Sequence, residues 1–488
     1  MRQFLQFLTM VALSTHALPS AADVGALALS PASDPLAGDL PEGATATGQG
    51  APRTVRCTYE QCAQRAIQHS PLVKAAGLTL DLYLARAREA KAAGYPKLSA
   101  EGFATVVPDE KENTEGETPV TSYDWSPSKL RPLLYGSLHV VQPLYTFGKL
   151  AILKRLAVQG VDVGRATRRI AQDEARYQVA RAWWALVLIA EMSEMIEEGK
   201  SRLVDEQARL ERMRDESDEK YNQADLLKLH MTAADFEDKV RLTERTRMQA
   251  QDGLRIAMAE AVHTVIEPDA ESLQPLEFPI LPVEAYEALA LINHPKLLAM
   301  RSGTTARLEM GELARANLWP DIGLVAHLAG AYVQGRDTEP SSIVNNPNAG
   351  SYAGIGLSWN PDLFRSLGRL AAARMESRTT TLQEQGERDK TRLEVRQLWR
   401  ELVDARAMIA VHGQAAKSAR GWLHAEQQMH EDGFQVFEEV LKAIEAYYRR
   451  KLAHLEAIYT HNVAVAALSR AVGVDVVTAG GTGPRPGK

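Results

Sequence analysis

The sequence predicts a mainly α-helical protein with a β-barrel part, built from one helix-strand-strand-helix-helix unit that occurs twice. Three observations predict this fold. Ordered landmarks recur in the two halves of the chain, each half has two alternating segments, and a long apolar repeat follows each pair of segments. The segments are about ten residues long, which suits a tilted crossing of a bilayer. The long repeats space their apolar residues by three and four, which is typical of coiled coils.

The duplication is visible as a series of matching residues in the same order. Pro71 and Pro96 are 25 residues apart, and Pro295 and Pro320 have the same separation. Across the whole series the offset between the halves changes only from 224 to 214 residues. The later matches are Pro143 with Pro361, Trp183 with Trp399, and Leu227 with Leu441.

The two repeats are expected to occupy residues 55–265 and 283–475, with a linker at 266–282. Each repeat is expected to begin with one helix, from about Thr58 to Gly94 and from about Val283 to Leu318. These ends are predicted because each precedes an aromatic–proline pair, and proline disfavours helical geometry in the residue before it.

The N-terminus has the pattern of a secretory signal peptide at residues 1–22. Arg2 supplies a positive start, a largely apolar run follows, and Ser20–Ala22 offers small residues for cleavage. An apolar, unstructured start is the alternative interpretation. Composition rich in Ala, Gly, Pro and Asp predicts a disordered lead at 23–54, and a disordered tail is expected at 476–488.

Barrel strands are predicted near 96–107 and 133–143 in the first repeat, and near 320–333 and 351–360 in the second. Apolar or small residues occupy every second position of these segments. Soluble hairpins would show the same alternation. The long polar connections within each pair favour an outer-membrane barrel instead, because such barrels combine long loops on one side with structured connections on the other.

Each strand pair is predicted to enter its long helix through a joint that contains proline and glycine. The first joint contains Pro143 and Gly148, and the second contains Pro361 and Gly368. Proline is expected to end the strand, where no further backbone donor is needed. Glycine then lets the chain turn into the helix.

Cys57 and Cys62 are the only cysteines. Thr58 followed by Gln61 resembles a capping box, which would place the two cysteines at the positions of a hydrophobic staple. An oxidising compartment would permit a disulfide between them. Two free buried thiols are the alternative.

Several functional classes find no support in the sequence. The net charge of −6 gives no basic face for nucleic acid. We find no Gly-x-Ser-x-Gly, phosphate loop, His-Glu-x-x-His or paired cysteine ligands, so an enzyme, a cofactor and a metal site are not expected. His412, His424 and His430 do not share one helix face and are predicted to be surface residues.

The signal, the duplicated unit, the segment QPLYTFGK at 142–149 and the segment ALSRAVG at 467–473 together resemble the outer-membrane efflux protein family, the TolC-like channels. The resemblance covers nearly all of residues 55–475. It implies a homotrimer in which each protomer gives four strands to one twelve-stranded outer-membrane β-barrel. A long α-helical coiled-coil tunnel would continue this barrel into the periplasm, where most of the chain would lie.

The resemblance implies an outer-membrane channel component of a tripartite efflux or type I secretion system. Such a channel is a passive conduit that opens when helices untwist at its periplasmic tip. The implied partners are a periplasmic adaptor (membrane fusion) protein, an inner-membrane RND or ABC pump, and outer-membrane lipid. A soluble periplasmic coiled-coil or adaptor protein is the alternative, but it would not explain the duplicated strands and joints.

The family's tip pattern is an aromatic residue, Gly three residues later, and Leu eight residues after that. In the second repeat His430, Gly433 and Leu441 match it, with His in place of the aromatic residue. In the first repeat only Leu227 matches, because glutamates replace the other two. These four residues are the candidates for contact with the adaptor.

Channels of this family often narrow at rings of acidic side chains. The candidates are Asp225 and Glu439, each two residues before its matched Leu. In a trimer each would form a ring of three carboxylates, which favours cations and raises some carboxyl pKa values by mutual repulsion. A solvated helix carboxylate is the alternative for each.

Overall fold

The computed structural model describes residues 54–113, 120–217, 221–333, 351–359, 362–432, 434 and 436–481. All of these residues belong to one unit, Pro52–Lys488. The expected signal peptide at 1–22 lies outside the described residues.

The helices follow the duplicated order. In the first repeat they are α1 (Tyr59–His69), α2 (Pro71–Ala92), α3 (Lys149–Asp215) and α4 (Gln223–Met258). In the second repeat they are α5 (Val283–Asn293), α6 (Pro295–Ala316), α7 (Leu363–Glu431) and α8 (Phe437–Val472), followed by α9 (Val476–Gly481).

The helix lengths are duplicated as well. The long helices α3 and α7 have 67 and 69 residues, so each extends for about 100 Å at about 1.5 Å per residue. The other helices have 11, 22 and 36 residues in both repeats. Helices α2 and α4 both pack against α3, and α6 and α8 both pack against α7, so two shorter helices share each long one.

The expectation of a single first helix in each repeat is wrong. Ser70 adopts an extended ψ of 128° before Pro71, and His294 adopts a ψ of 118° before Pro295. The residue before a proline disfavours helical geometry, whereas proline itself fits the first position of a helix. The prolines that reveal the duplication therefore also divide these helices.

The strands are β1 (Thr54–Cys57), β2 (Lys97–Val107), β3 (Asp109–Asn113), β4 (Val120–Asp124), β5 (Arg131–Tyr145), β6 (Val265–Pro268), β7 (Asp321–Val333) and β8 (Tyr352–Ser358). Strands β2, β5, β7 and β8 form one antiparallel sheet in the order β2-β5-β7-β8. The first repeat supplies two of these strands and the second repeat supplies the other two. The polar connection after β2 contains a hairpin of β3 and β4.

One face of the four-stranded sheet is apolar and exposed. The register aligns Leu98 with Val140, Leu138 with Leu328, and Leu324 with Ile355 on this face. Leu98, Leu328 and Ile355 are each at least 59 % exposed. Apolar side chains on one face and polar ones on the other are the pattern of strands that separate lipid from an aqueous interior.

Three short elements lie where sequence patterns predicted disorder or a plain linker. Thr54 belongs to β1, which pairs in parallel with β6 of the linker. The tail begins with α9, and Val476 in it is fully buried. Each element is stabilised by a distant part of the chain. Because the elements are short, none of them leaves a periodic signal of its own in the sequence.

Two hydrophobic clusters in the described part of the chain stabilise the helices. The first, the tip core, lies where the C-terminal parts of α3 and α7 meet the starts of α4 and α8; its buried members include Leu210, Leu226, Leu229, Val440 and Ile444. The second, the C-terminal core, joins α5, α7, α8 and α9; its members include Tyr286, Val395, Leu402, Leu468 and Val476.

Candidate functional site: the joints and the helical tip

The first joint turns on a glycine with left-handed backbone geometry. Gly148 has φ +87° and forms the N-cap of α3. Only glycine adopts such a φ without strain from a Cβ atom. Phe147, just before it, has φ +49°, so two successive residues make the turn from strand to helix.

Pro143 does not end its strand, contrary to the sequence-based expectation. Strand β5 continues to Tyr145, and its register with β7 shifts between Pro143 and Tyr145. Proline has no N–H to donate, so a bulge is one of the few places in a sheet that accept it. The Gln142 amide nitrogen donates to the Gly94 carbonyl (3.0 Å), which connects this bulge to the end of α2.

The first joint is connected to the second repeat by a lysine and an aromatic stack. Lys149 Nζ lies 2.8 Å from Asp321 Oδ1 and donates to the Trp319 carbonyl oxygen, also at 2.8 Å. The Phe147 ring stacks on the Trp319 ring with a centroid separation of 5.4 Å. The strand-to-helix turn of one repeat is therefore fixed against the start of β7 in the other.

The second joint is built differently. Pro361 lies outside the described residues. Asp362 is the N-cap of α7, and its Oδ1 accepts from the Arg365 backbone nitrogen at 3.3 Å. Gly368 lies inside α7, so the expectation that it opens this helix is wrong. A capping carboxylate satisfies the first N–H groups without a left-handed residue.

Exposed aromatic side chains mark the level where strands become helices. Tyr95, Tyr145, Trp319 and Trp359 are between 55 % and 67 % exposed. The Trp359 indole nitrogen donates to the Leu318 carbonyl at 3.2 Å. Tyr and Trp rings of this kind favour the boundary between hydrocarbon and water. Sequence reasoning used the aromatic–proline pairs only as helix ends and missed this belt.

The tip of the first repeat is the turn between α3 and α4. The Asn222 side chain caps α4 by accepting from the Ala224 nitrogen at 3.0 Å. Asp225 follows in the first turn and is half-buried. Leu226 packs into the tip core, whereas Leu227 is 56 % exposed.

The tip of the second repeat is the turn between α7 and α8. His430 lies in the last turn of α7 and is half-buried. Gly433 lies outside the described residues. Leu441 packs against the tip core, so it differs from its exposed counterpart Leu227.

An ion-pair network joins the two tips. Lys228 Nζ on α4 lies 2.8 Å from Glu438 Oε2 on α8. Lys442 Nζ lies 3.2 Å from Glu438 and 2.7 Å from Glu439. Hydrogen bonds from Lys228, the largest cause, and from Lys442 lower the pKa of Glu438. The bond to Glu438 raises the pKa of Lys228, and the charge of Asp225 adds a smaller effect in the same direction.

The structure thus brings the predicted Glu439 into a network whose other members sequence reasoning missed. The spacing of Glu438, Glu439 and Lys442 on one helix could have revealed their contacts, because residues three and four apart are neighbours on a helix. Lys228 and Glu438 are 210 residues apart, and no local pattern connects them.

The two cysteines are bonded at the start of α1, with their Cα atoms 6.0 Å apart. Both hydrogen bonds of the capping box are present. The Gln61 backbone nitrogen donates to Thr58 Oγ1, and the Thr58 backbone nitrogen donates to Gln61 Oε1. The Trp183 indole nitrogen donates to the Cys57 carbonyl at 3.0 Å. The disulfide and the Trp183 hydrogen bond from α3 therefore both fix the backbone at the start of α1.

No helix in the described part of the chain has the length and apolar character needed to cross a membrane. The described residues also contain no group of three or more His, Cys, Asp or Glu side chains that could hold a metal ion.

Residues 288–474 match the model of the outer membrane efflux protein family. The resemblance that the sequence suggested is therefore confirmed, and the efflux protein domain covers most of the second repeat. No curated protein matches the chain.

Solved outer-membrane channels share the fold over nearly the whole chain. CusC superposes with a TM-score of 0.69 at 17 % identity, covering 91 % of this chain and 99 % of its own. VceC of Vibrio cholerae gives 0.69 at 18 %, covering 85 % of this chain and 96 % of its own. The open state of MtrE of Neisseria gonorrhoeae gives 0.65 at 14 %, covering 86 % and 89 %. At these identities the likeness establishes the fold, and the predicted fold class is confirmed.

Proposed function

We infer that this protein is the outer-membrane channel component of a tripartite efflux or type I secretion system, a passive conduit from the periplasm to the exterior. One observation carries this inference. An antiparallel sheet with an exposed apolar face continues, through two joints, into helices about 100 Å long. The efflux protein domain at 288–474 supports the same function.

The sheet argues for a homotrimer. Within the described residues, β2 and β8 are the outer strands of the sheet, and each pairs with one neighbour in it. A strand edge without hydrogen-bond partners is strongly unfavourable in lipid, because no water can satisfy its N–H and C=O groups. Three copies joined edge to edge would close one barrel of twelve strands and bring their long helices together as a tunnel.

Opening would take place at the helical tip. The ion pair of Lys228 and Glu438 connects the hairpin of α3 and α4 to the hairpin of α7 and α8. Both side chains are about half exposed, and exposed ion pairs contribute little and are screened by salt. Such a contact suits a closure that an adaptor protein can undo, with the free energy supplied by an inner-membrane RND or ABC pump.

Asp225 and Glu439 are the proposed constriction residues. Both are half-buried at the helix starts that form the tip. Glu439 accepts a hydrogen bond from Lys442, which offsets part of its charge. We therefore expect Asp225 to contribute more to cation preference than Glu439.

The proposed adaptor contacts are His430, Gly433, Leu441 and Leu227. Leu227 offers exposed apolar surface, whereas Leu441 packs inward and would position the second tip. This difference supports an adaptor that meets the two tips in different ways.

Two measurements test the proposal: the mass of the extracted assembly and its ion conductance in planar bilayers. We expect detergent-extracted protein from the outer membrane to contain three chains by light scattering, after correction for bound detergent. In planar bilayers, Asp225→Asn should lower cation preference more than Glu439→Gln does. Glu237→Gln, a side chain 52 % exposed on α4, serves as the matched control and should leave selectivity unchanged. A soluble periplasmic monomer or dimer would contradict the channel and favour a coiled-coil adaptor.

A further inference from the structure

Two histidines face each other across the seam between the repeats. His139 on β5 is directly opposite His327 on β7 in the register of the sheet. Their ring centroids are 5.7 Å apart, with an angle of 60° between the ring planes. Both side chains are half-buried.

The pair belongs to a row of polar side chains that crosses the whole sheet. Ser99 on β2 lies opposite His139, and Tyr352 on β8 lies opposite His327. The His327 and Tyr352 rings have centroids 5.4 Å apart. Residues directly opposite each other in register share a face of the sheet. This row therefore lies on the face opposite to the apolar one.

The separation of the rings suits a shared metal ion. A metal–nitrogen bond to imidazole is about 2 Å long, so two imidazoles on one metal have ring centres roughly 5–6 Å apart. Imidazole is a favoured ligand for Zn²⁺, Ni²⁺ and Cu²⁺, whereas Mg²⁺ prefers oxygen ligands. Glu101 lies on the same face, opposite Ser137 and two residues along from the partner of His139, and adds negative charge there.

We propose that His139 and His327 form a two-histidine site for a late first-row divalent metal ion, bridging the first and second repeats on the polar face of the sheet. The described residues provide no group of three ligands, so water would complete the coordination. A site with two protein ligands exchanges its metal readily, which distinguishes it from a structural metal centre.

The competing interpretation is an aromatic contact without a ligand. Aromatic pairs across neighbouring strands stabilise sheets by their packing alone. This interpretation predicts that either histidine can be replaced without any change in metal binding, so the two interpretations make opposite predictions.

The location of the site in a pore rests on the proposed function. In an outer-membrane barrel the apolar face contacts lipid and the other face lines the interior. A trimer would then carry three such pairs around its interior, and bound metal would narrow the passage. Metal binding itself requires only β5 and β7 of one chain and does not depend on the channel.

The test measures metal binding to the full-length protein purified without a polyhistidine tag. Isothermal titration with Zn²⁺ and Ni²⁺ should reveal a site with one metal per chain, and Mg²⁺ should give no comparable signal. His139→Gln and His327→Gln should each lower the zinc affinity by roughly 10- to 100-fold or more. Loss of a group that hydrogen-bonds a metal ligand already costs that much, and loss of the ligand itself should cost at least as much. His424→Gln, an exposed histidine on α7, is the matched control and should bind metal like the wild type.

Equal zinc affinity in the wild type, His139→Gln and His327→Gln would overturn the site and leave an aromatic contact only. Light scattering of each variant checks that its assembly is unchanged. A second arm records conductance with Zn²⁺ added and then removed by chelation. Reversible block that both variants lose supports a location in the pore. A protein that binds zinc through the pair but conducts no ions contradicts the proposed function and leaves the site standing.

Discussion

The starts of the two repeats contain equivalent hydrogen bonds. In the first repeat the Trp183 indole nitrogen donates to the Cys57 carbonyl at 3.0 Å. In the second repeat the Trp399 indole nitrogen donates to the Leu281 carbonyl, also at 3.0 Å. In both cases the acceptor is the residue just before the N-cap of the first helix. A tryptophan of each long helix thus fixes the entry of its own repeat.

The two starts differ in how the first helical turn is closed. Cys57 is bonded covalently to Cys62, the fourth residue of α1. At the equivalent positions of α5, the Leu281 nitrogen donates to the hydroxyl oxygen of Tyr286 at 3.3 Å. The same pair of positions is therefore closed by a disulfide in one repeat and by a buried tyrosine in the other. The backbone arrangement was retained although the chemistry changed.

The supporting contacts differ accordingly. The first start also has the Thr58 capping box, whereas Pro282, the N-cap of α5, provides no side-chain cap. Tyr286 is 0 % exposed and belongs to the C-terminal core with Leu402 and Leu468. The first start thus depends on a covalent bond and local caps, and the second depends on packing. This difference predicts how strongly mutations at each start should lower the stability of the protein.

Truncation of the tyrosine should have the largest effect. Tyr286→Ala removes a fully buried ring and should lower the free energy of unfolding by about 3–5 kcal/mol, because it leaves a cavity in the C-terminal core. The measurement is the thermal midpoint of the detergent-solubilised protein by near-ultraviolet circular dichroism. Tyr221→Ala, in the partly exposed tip turn, is the control and should cost far less. Equal losses in the two variants would show that the second start does not depend on Tyr286.

Removal of the disulfide should have an intermediate effect. In the chain-entropy account, a bond that closes so short a loop contributes about 2 kcal/mol. Cys57→Ser combined with Cys62→Ser should therefore lower the midpoint less than Tyr286→Ala does. A reducing agent should lower the midpoint of the wild type and of Tyr286→Ala, but leave that of the double variant unchanged. A double variant that still responds to the reducing agent would contradict this assignment.

Local signals explain most of what the sequence predicted correctly. Thr58 and Gln61 are three residues apart, and their reciprocal bonds follow from that spacing alone. The alternation of Leu134, Gly136 and Leu138 predicted their shared face because side chains in a strand alternate. The order of elements followed from repeated local patterns of this kind.

The misses required information from distant parts of the chain. Strand β1 is stable only beside β6, whose residues lie about 210 positions away. Pro143 indicates that a strand is interrupted but does not distinguish an end from a bulge, and the register with β7 decides between them. At the tip, Lys228 and Glu438 meet only after both repeats have folded. Local sequence could not specify any of these contacts.

The matched tryptophans provide the smallest and sharpest test. Trp183→Phe and Trp399→Phe each remove one indole hydrogen bond to a backbone carbonyl, which should cost about 1 kcal/mol. Trp183 and the disulfide act on the same residue, Cys57, so their effects should be coupled. In a double-mutant cycle, the cost of Trp183→Phe should therefore change when Cys57 and Cys62 are replaced by serine.

Trp399→Phe provides the control within the same cycle, because its acceptor Leu281 has no bond to either cysteine. Its cost should be the same with and without the disulfide, since distant sites that share no partner add independently. Thermal midpoints of the four combinations for each tryptophan give both coupling energies. Equal coupling of both tryptophans to the disulfide would mean that the two starts unfold as one unit, and that the duplicated hydrogen bond does not act within its own repeat.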